Sequence, residues 1–181
     1  MCFNVSGSNA SNVNISGPNA ICPGESINLA ANSGDAVTYA WTATGGTLSN
    51  PSGQNTNYTM MIPGVYTITV VTTNSEGCTA SNSTNVIVNE TPVISATNII
   101  NTSCGDANGQ IITTVSGGSA PFTYAWNTGD TTPNLSGLPA GIYCVTVTNA
   151  ESCTSSECFM VQSSSNLTCL LYTSPSPRDR G

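Results

Sequence analysis

Thr38-Tyr-Ala-Trp41 and Pro63-Gly-Val-Tyr-Thr-Ile-Thr-Val70 are the stretches that decide the fold. Tyr39 and Trp41 in the first, and Tyr66, Ile68 and Val70 in the second, alternate with small or hydroxyl-bearing residues. A period of two puts every second side chain on one face of a strand, and Thr, Val, Ile and aromatics suit that half-buried surface. Outward from these stretches the pattern continues. Val37 joins the first run, Tyr58, Met60 and Ile62 form another, and Ser26–Ala31 and Gly109–Val115 are further strand candidates. Gly, Pro and Asn punctuate the intervals as turns do. No segment sustains the 3.6-residue period of an amphipathic helix. The chain reads as all-β and antiparallel.

Both stretches recur. Thr123-Tyr-Ala-Trp126 repeats the first and Ala140-Gly-Ile-Tyr-Cys-Val-Thr-Val147 the second, with Phe122, Tyr124 and Trp126, then Tyr143, Val145 and Val147, in phase. The offset is 85 residues at the Trp and 77 at the Tyr, so the first copy carries eight extra residues between them. Two tandem units of about 70–85 residues account for this. Predicted boundaries are 1–12 for the end of a preceding unit or disorder, 13–89 and 92–162 for the two units, and 163–181 for a disordered tail. The hinge falls near Asn89-Glu-Thr-Pro92, where a strand-like run (Asn85–Val88) meets a proline. Six or seven short strands per unit, with turn signals every 8–12 residues, read as a β-sandwich. The order Cys22, Trp41, Cys78 and again Cys104, Trp126, Cys153 suits an immunoglobulin-like sandwich. Trp41, Tyr66, Trp126 and Tyr143 are then core residues.

Composition narrows the function. Ser, Thr and Asn fill 71 of the 181 positions, there is no His and no Lys, and the formal charge is −7. Nothing neutralises phosphates, so a nucleic-acid partner is not expected. Without His or Lys there is no Ser-His-Asp triad, imidazole metal ligand, Schiff-base lysine or P-loop. The carboxylates are scattered and sit beside Gly, Asn or Ser in turns, unlike a facing glycosidase pair. Asp106-Ala-Asn-Gly109 begins like a calcium loop but lacks the later ligands, and Asn108-Gly109 reads instead as a tight turn. Val115-Ser-Gly-Gly-Ser119 leads into no helix and is no phosphate cradle. No catalytic, metal or cofactor site is expected, and no membrane insertion. The sequons at Asn14, Asn57 and Asn134 match the chance level of so Asn-, Ser- and Thr-rich a chain.

The end of the chain departs from the rest. Both arginines, Arg178 and Arg180, lie in Cys169–Gly181. The run Cys169-Leu-Leu-Tyr-Thr-Ser-Pro-Ser-Pro-Arg-Asp179 resembles a transposase adapter translated in frame, which implies that Cys169 is not native and that the natural chain continues beyond Thr168. Met1-Cys-Phe3 begins no signal peptide, so a fragment is expected.

The second unit carries a family resemblance. Cys104, Asn108-Gly109, Val115-Ser-Gly-Gly118, Pro121-Phe-Thr-Tyr-Ala-Trp126, Gly129, Leu138-Pro-Ala-Gly-Ile-Tyr143 and Cys153, in that order, resemble the SprB repeat of Bacteroidetes surface adhesins. Pro63–Val70 of the first unit is similar to the late-strand signature of the PKD-type sandwich. The resemblance implies large secreted proteins exported by the type IX system and displayed at the outer membrane. Cys144 and Cys158 are additions to the repeat pattern. Asp130-Thr-Thr132 resembles the Bacteroidetes O-glycosylation motif, which makes Thr131 a candidate acceptor.

Cysteine usage agrees with an oxidising compartment on its own terms. Spacing suggests Cys22–Cys78 and Cys104–Cys153, and a hairpin turning near Glu151 places Cys144 opposite Cys158. Each bridge is worth about 3–4 kcal/mol in the chain-entropy model. Six cysteines allow 15 pairings, so connectivity stays open, and Cys2 is left over. Since almost every ring is in phase with a core face, no aromatic platform remains for stacking on sugars. The sequence thus predicts a non-enzymatic structural or adhesive segment of a secreted or cell-surface protein, serving as a stalk or a multivalent array. Its expected partners are neighbouring repeats and surface polysaccharide. The alternatives are a spacer or accessory region of a secreted hydrolase, or a carbohydrate-binding module.

Overall fold

The computed structural model describes residues 10–103 and 106–164, which form two compact units divided between Thr91 and Pro92. Every regular element among the described residues is a strand. The first unit contains β1 (Asn14–Ser16), β2 (Ala20–Ile21), β3 (Ser26–Asn32), β4 (Ala36–Ala43), β5 (Thr47–Leu48), β6 (Asn55–Thr59), β7 (Gly64–Asn74) and β8 (Thr79–Val88). One sheet has the order β1-β3-β6-β5 and the other β2-β8-β7-β4. Between β1 and β2 the chain passes from one sheet to the other at Gly17-Pro18, and β2 joins β8 in parallel. This is the strand arrangement of an immunoglobulin-like sandwich. The two inner faces supply the core: Ile27, Leu29, Ala31 and Tyr58 from one sheet, Trp41, Ile68, Val70, Val86 and Val88 from the other.

The second unit contains β9 (Val93–Ile100), β10 (Thr102–Ser103), β11 (Gly109–Ser116), β12 (Thr123–Trp126), β13 (Leu135–Leu138), β14 (Gly141–Thr148), β15 (Thr154–Val161) and β16 (Ser163–Ser164). Its sheets are β13-β11-β9 and β12-β14-β15, and β10 pairs with β16 in parallel. Ile111, Trp126, Leu135, Tyr143, Val145, Val147 and Val161 form its core. Trp126 and Phe159 lie 6.4 Å apart, centroid to centroid.

Local geometry corrects several sequence expectations. Val37 is exposed although it is in phase with Tyr39, because the β4–β7 register skips it at a bulge between Ala36 and Thr38. The run Tyr58–Met60–Ile62 does not stay in the sheet: β6 ends at Thr59, and Ile62 lies exposed in the corner before Pro63. Tyr66 is only half-buried, packed against the core rather than inside it. Asn108-Gly109 is not a hairpin turn. Gly109 opens β11, where a Cβ would stand 2.7 Å from Val161 Cγ1, and Asn108 instead ties Ser103 by backbone and hydroxyl bonds.

Candidate functional site

Three local devices are built twice, once in each unit. The first surrounds the tryptophans. Trp41 Nε1–H donates to Gly53 O and Trp126 Nε1–H to Thr132 O, each at 2.8 Å. The second is a tyrosine corner: Tyr66 O–H donates to Ile62 O (3.0 Å) and Tyr143 O–H to Pro139 O (2.8 Å). In both devices a large ring packs in or against the core while its polar atom satisfies a loop carbonyl.

The third device closes the β7–β8 and β14–β15 hairpins. Asn74-Ser-Glu-Gly-Cys78 and Asn149-Ala-Glu-Ser-Cys153 share one arrangement. Asn74 Oδ1 accepts from Cys78 N–H at 2.9 Å, and Asn149 Oδ1 accepts from Cys153 N–H at 2.8 Å. In each, the Asn N–H also donates to the Cys carbonyl at 3.0 Å. Both Asn side chains are buried, so each bond is made where water cannot replace it. The position before the Cys takes positive φ: Gly77 at 78° and Ser152 at 66°. Sequence reasoning registered the cysteines but missed this Asn-x-Glu-x-Cys spacing. The repeat itself was the signal, since two buried asparagines four residues before paired cysteines occupy one register.

Measured from that turn, Trp41 faces Val70 and Trp126 faces Val145, four residues before the respective Asn. Measured from the tyrosine corner, the two copies differ by two residues. Part of the eight-residue excess is therefore two more residue pairs in the β7–β8 ladder, which leaves the inward phase intact.

The hairpin registers also place the cysteines. Cys144 lies opposite Cys158 and is bonded to it, with Cα atoms 4.0 Å apart. Cys22, Cys78 and Cys153 are disulfide-bonded too. The expected Cys22–Cys78 bridge is not formed. Cys22 follows Ile21, which pairs with Val88 at the far end of β8, whereas Cys78 immediately precedes Thr79 at its start. The ten residues of β8 hold them about 30 Å apart, against the roughly 7 Å that a disulfide spans. Cys104, and with it the expected Cys104–Cys153 pair, lies outside the described residues, as do Cys2 and Cys169–Gly181.

Several carboxylates brace turns and loops. Asp35 accepts from Ser11 N–H on both oxygens, from Ser33 Oγ and from Asn74 Nδ2. Desolvation pushes its pKa up, but the bonds from Asn74, Ser11 and Ser33 outweigh that and hold it below the ordinary 3.8. Glu25 accepts from Cys22 N–H, and Asp130 accepts from Thr128 Oγ1. Among the described residues, no three His, Cys, Asp or Glu side chains group closely enough to hold a metal ion. Tyr58 O–H is fully buried without a hydrogen-bond partner, and burial raises its pKa, with a smaller contribution from Tyr66. Thr131 is exposed in the loop that also receives the Trp126 indole.

With this frame in place, residues 8–88 match the family model of the PKD domain and residues 96–131 that of the SprB repeat. The first unit is PKD-like, the second SprB-like. No curated protein matches the chain. Among solved structures, the eight N-terminal Ig domains of Down syndrome cell adhesion molecule are similar at 13% identity and TM-score 0.58, over 84% of this chain and 27% of that one. The C-terminal 282-residue fragment of intimin, in complex with the intimin-binding domain of its translocated receptor, is similar at 13% identity and TM-score 0.55. That alignment covers 86% of this chain and 64% of the fragment, so the chain spans less than two thirds of either protein. At this identity the likeness is one of fold. The SprB match ends at Thr131, inside the tryptophan loop, and β13–β15 lie beyond it.

Proposed function

We propose that the PKD-like and SprB-like units form a non-enzymatic segment of a secreted or cell-surface protein, acting as a stalk or as part of a multivalent adhesion array. The observation that carries this reading is the repetition itself. Two units in series spend their distinctive residues on the same three frame-building devices. The side chains left over are chiefly hydroxyls and amides. Such surfaces make many weak contacts, and arrays of them gain avidity through effective concentration rather than through one strong site. Surface polysaccharide and neighbouring repeats of the same chain are the partners that fit, and the exposed Thr131 is open to glycosylation. The disulfides suit an oxidising compartment, which supports the extracellular reading. The hydrolase-spacer alternative makes the same use of the two units.

The test couples the chain to beads at graded density and measures their retention on polysaccharide-coated and bacterial surfaces. Retention that rises steeply with density, with no measurable binding by the free chain, supports the array. Absence of retention at every density leaves only the stalk or spacer role. Saturable one-to-one binding of a defined oligosaccharide, or its turnover, overturns the reading in favour of a carbohydrate-binding module or an enzyme.

A further inference from the structure

Cys144 and Cys158 face one another across β14 and the sheet-edge strand β15. Cys144 turns its backbone away from β15: its N–H donates to Asn127 Oδ1 (3.1 Å) and its carbonyl accepts from Asn127 N–H (2.9 Å). The pair is thus the close, non-hydrogen-bonded kind. The PKD-like unit holds the same position with other residues. Thr67 N–H donates to Thr44 Oγ1 (3.0 Å), Thr67 O accepts from Thr44 N–H (3.1 Å), and Thr67 Oγ1 donates to Asn85 Oδ1 (3.0 Å). Thr67 and Asn85 therefore stand where Cys144 and Cys158 stand, one step from the outward pair Val65–Ile87 as the cysteines are from Ile142–Met160. The fold fills this place with an ordinary hydrogen bond in one unit and a disulfide in the other. The bridge is therefore dispensable to the architecture. It is also accessible, since Cys158 is exposed while Cys22, Cys78 and Cys153 are buried.

We infer that Cys144–Cys158 is a thiol-exchange site, at which an external thiol becomes covalently attached to Cys158. The incoming thiolate attacks Sγ of Cys158, the sulfur on the edge strand. The Cys144–Cys158 bond breaks, its electron pair passes to Cys144 Sγ, and the Cys144 thiolate takes up a proton from water. One disulfide replaces another, with no net oxidation or reduction. Asn127 still holds the Cys144 backbone afterwards, so the strand keeps its place. Closure by Cys144 on the mixed disulfide reverses the step and releases the thiol. The described residues contain no Lys or Arg and Glu157 adjoins Cys158, so a cationic thiol is favoured over an anionic one at low salt.

Native protein is incubated with graded glutathione or cysteamine, trapped by alkylation and mapped by peptide mass, with near-UV circular dichroism recorded in parallel. The expected result is an adduct on Cys158 and an alkylated Cys144. It appears at about tenfold lower thiol than modification of Cys22, Cys78 or Cys153, with the dichroism unchanged. Cysteamine reacts faster than glutathione at low salt. Modification of Cys144 and Cys158 only together with the buried cysteines, or only with loss of the dichroism, overturns the proposal. The double variant Cys144→Thr/Cys158→Asn copies the PKD-like pair; it is expected to fold and to lose the early adduct. Failure of that variant to fold shows a structural bridge, and persistence of the early adduct shows another site; either result overturns the proposal.

Discussion

Asp35 and Tyr58 respond to their surroundings in ways that single substitutions can read. Because hydrogen bonds depress the Asp35 pKa, its contribution to stability is full above the unfolded value and is lost as pH falls through the folded one. The resistance of the PKD-like unit to urea is therefore expected to fall below about pH 4, where free Asp protonates, and Asp35→Asn to flatten that acid limb while lowering stability at neutral pH. The Tyr58 hydroxyl is buried without a partner, a state that costs rather than stabilises. Tyr58→Phe keeps the packed ring and removes the orphan, so thermal unfolding should show an unchanged or higher midpoint. Gly46 shows why some positions admit one residue only. Its φ is +79°, and a Cβ there would stand 2.6 Å from Thr59 O and 2.7 Å from Tyr58 Cε2. None of these constraints was visible in the alternation of polar and apolar residues, because each depends on which distant group arrives beside the side chain.

The β7–β8 and β14–β15 hairpins, with their asparagine-anchored turns, are the most closely repeated elements. Ser152 adopts φ 66° where Gly77 stands in the other copy. Ser152→Gly should relieve a left-handed conformation and raise stability of the SprB-like unit by about 0.5–1 kcal/mol, read as a shift in denaturant midpoint at constant slope. Asn149→Ala should cost more, about 1–3 kcal/mol, since it strands the buried Cys153 N–H. Hydrogen exchange at Cys153 and its neighbours would report the opening. At this scale the sequence was informative where the period was clean. It placed β3, β4, β11 and β14 within a residue or two, because their alternation runs out at Gly or Asn, but it ended β7 at Val70, four residues short of Asn74. It misread the end of β6 and the exposure of Val37, where a corner and a bulge override the period.

Across the whole molecule, the two cores share no residue: one is built around Trp41, Ile68 and Val70, the other around Trp126, Val145 and Val147. Ile111→Ala is expected to lower the stability of the SprB-like unit by 2–5 kcal/mol while amide protection in β3 and β7 is retained, as followed by exchange mass spectrometry on the full chain. The sequence by itself determined the all-β class, the duplication, the inward-facing rings and the lack of imidazole or lysine chemistry. Those follow from composition and from periods that any pairing partner must respect. The Cys144–Cys158 pair was legible from the hairpin around Glu151, but only the tertiary structure decided that Cys22 and Cys78 do not meet. Cys22 and Cys78 bracket Trp41 in the order expected of a bridged sandwich, yet β8 runs its full length between them. Spacing along the chain measures separation in residues. A disulfide requires separation in space, and strand direction sets that.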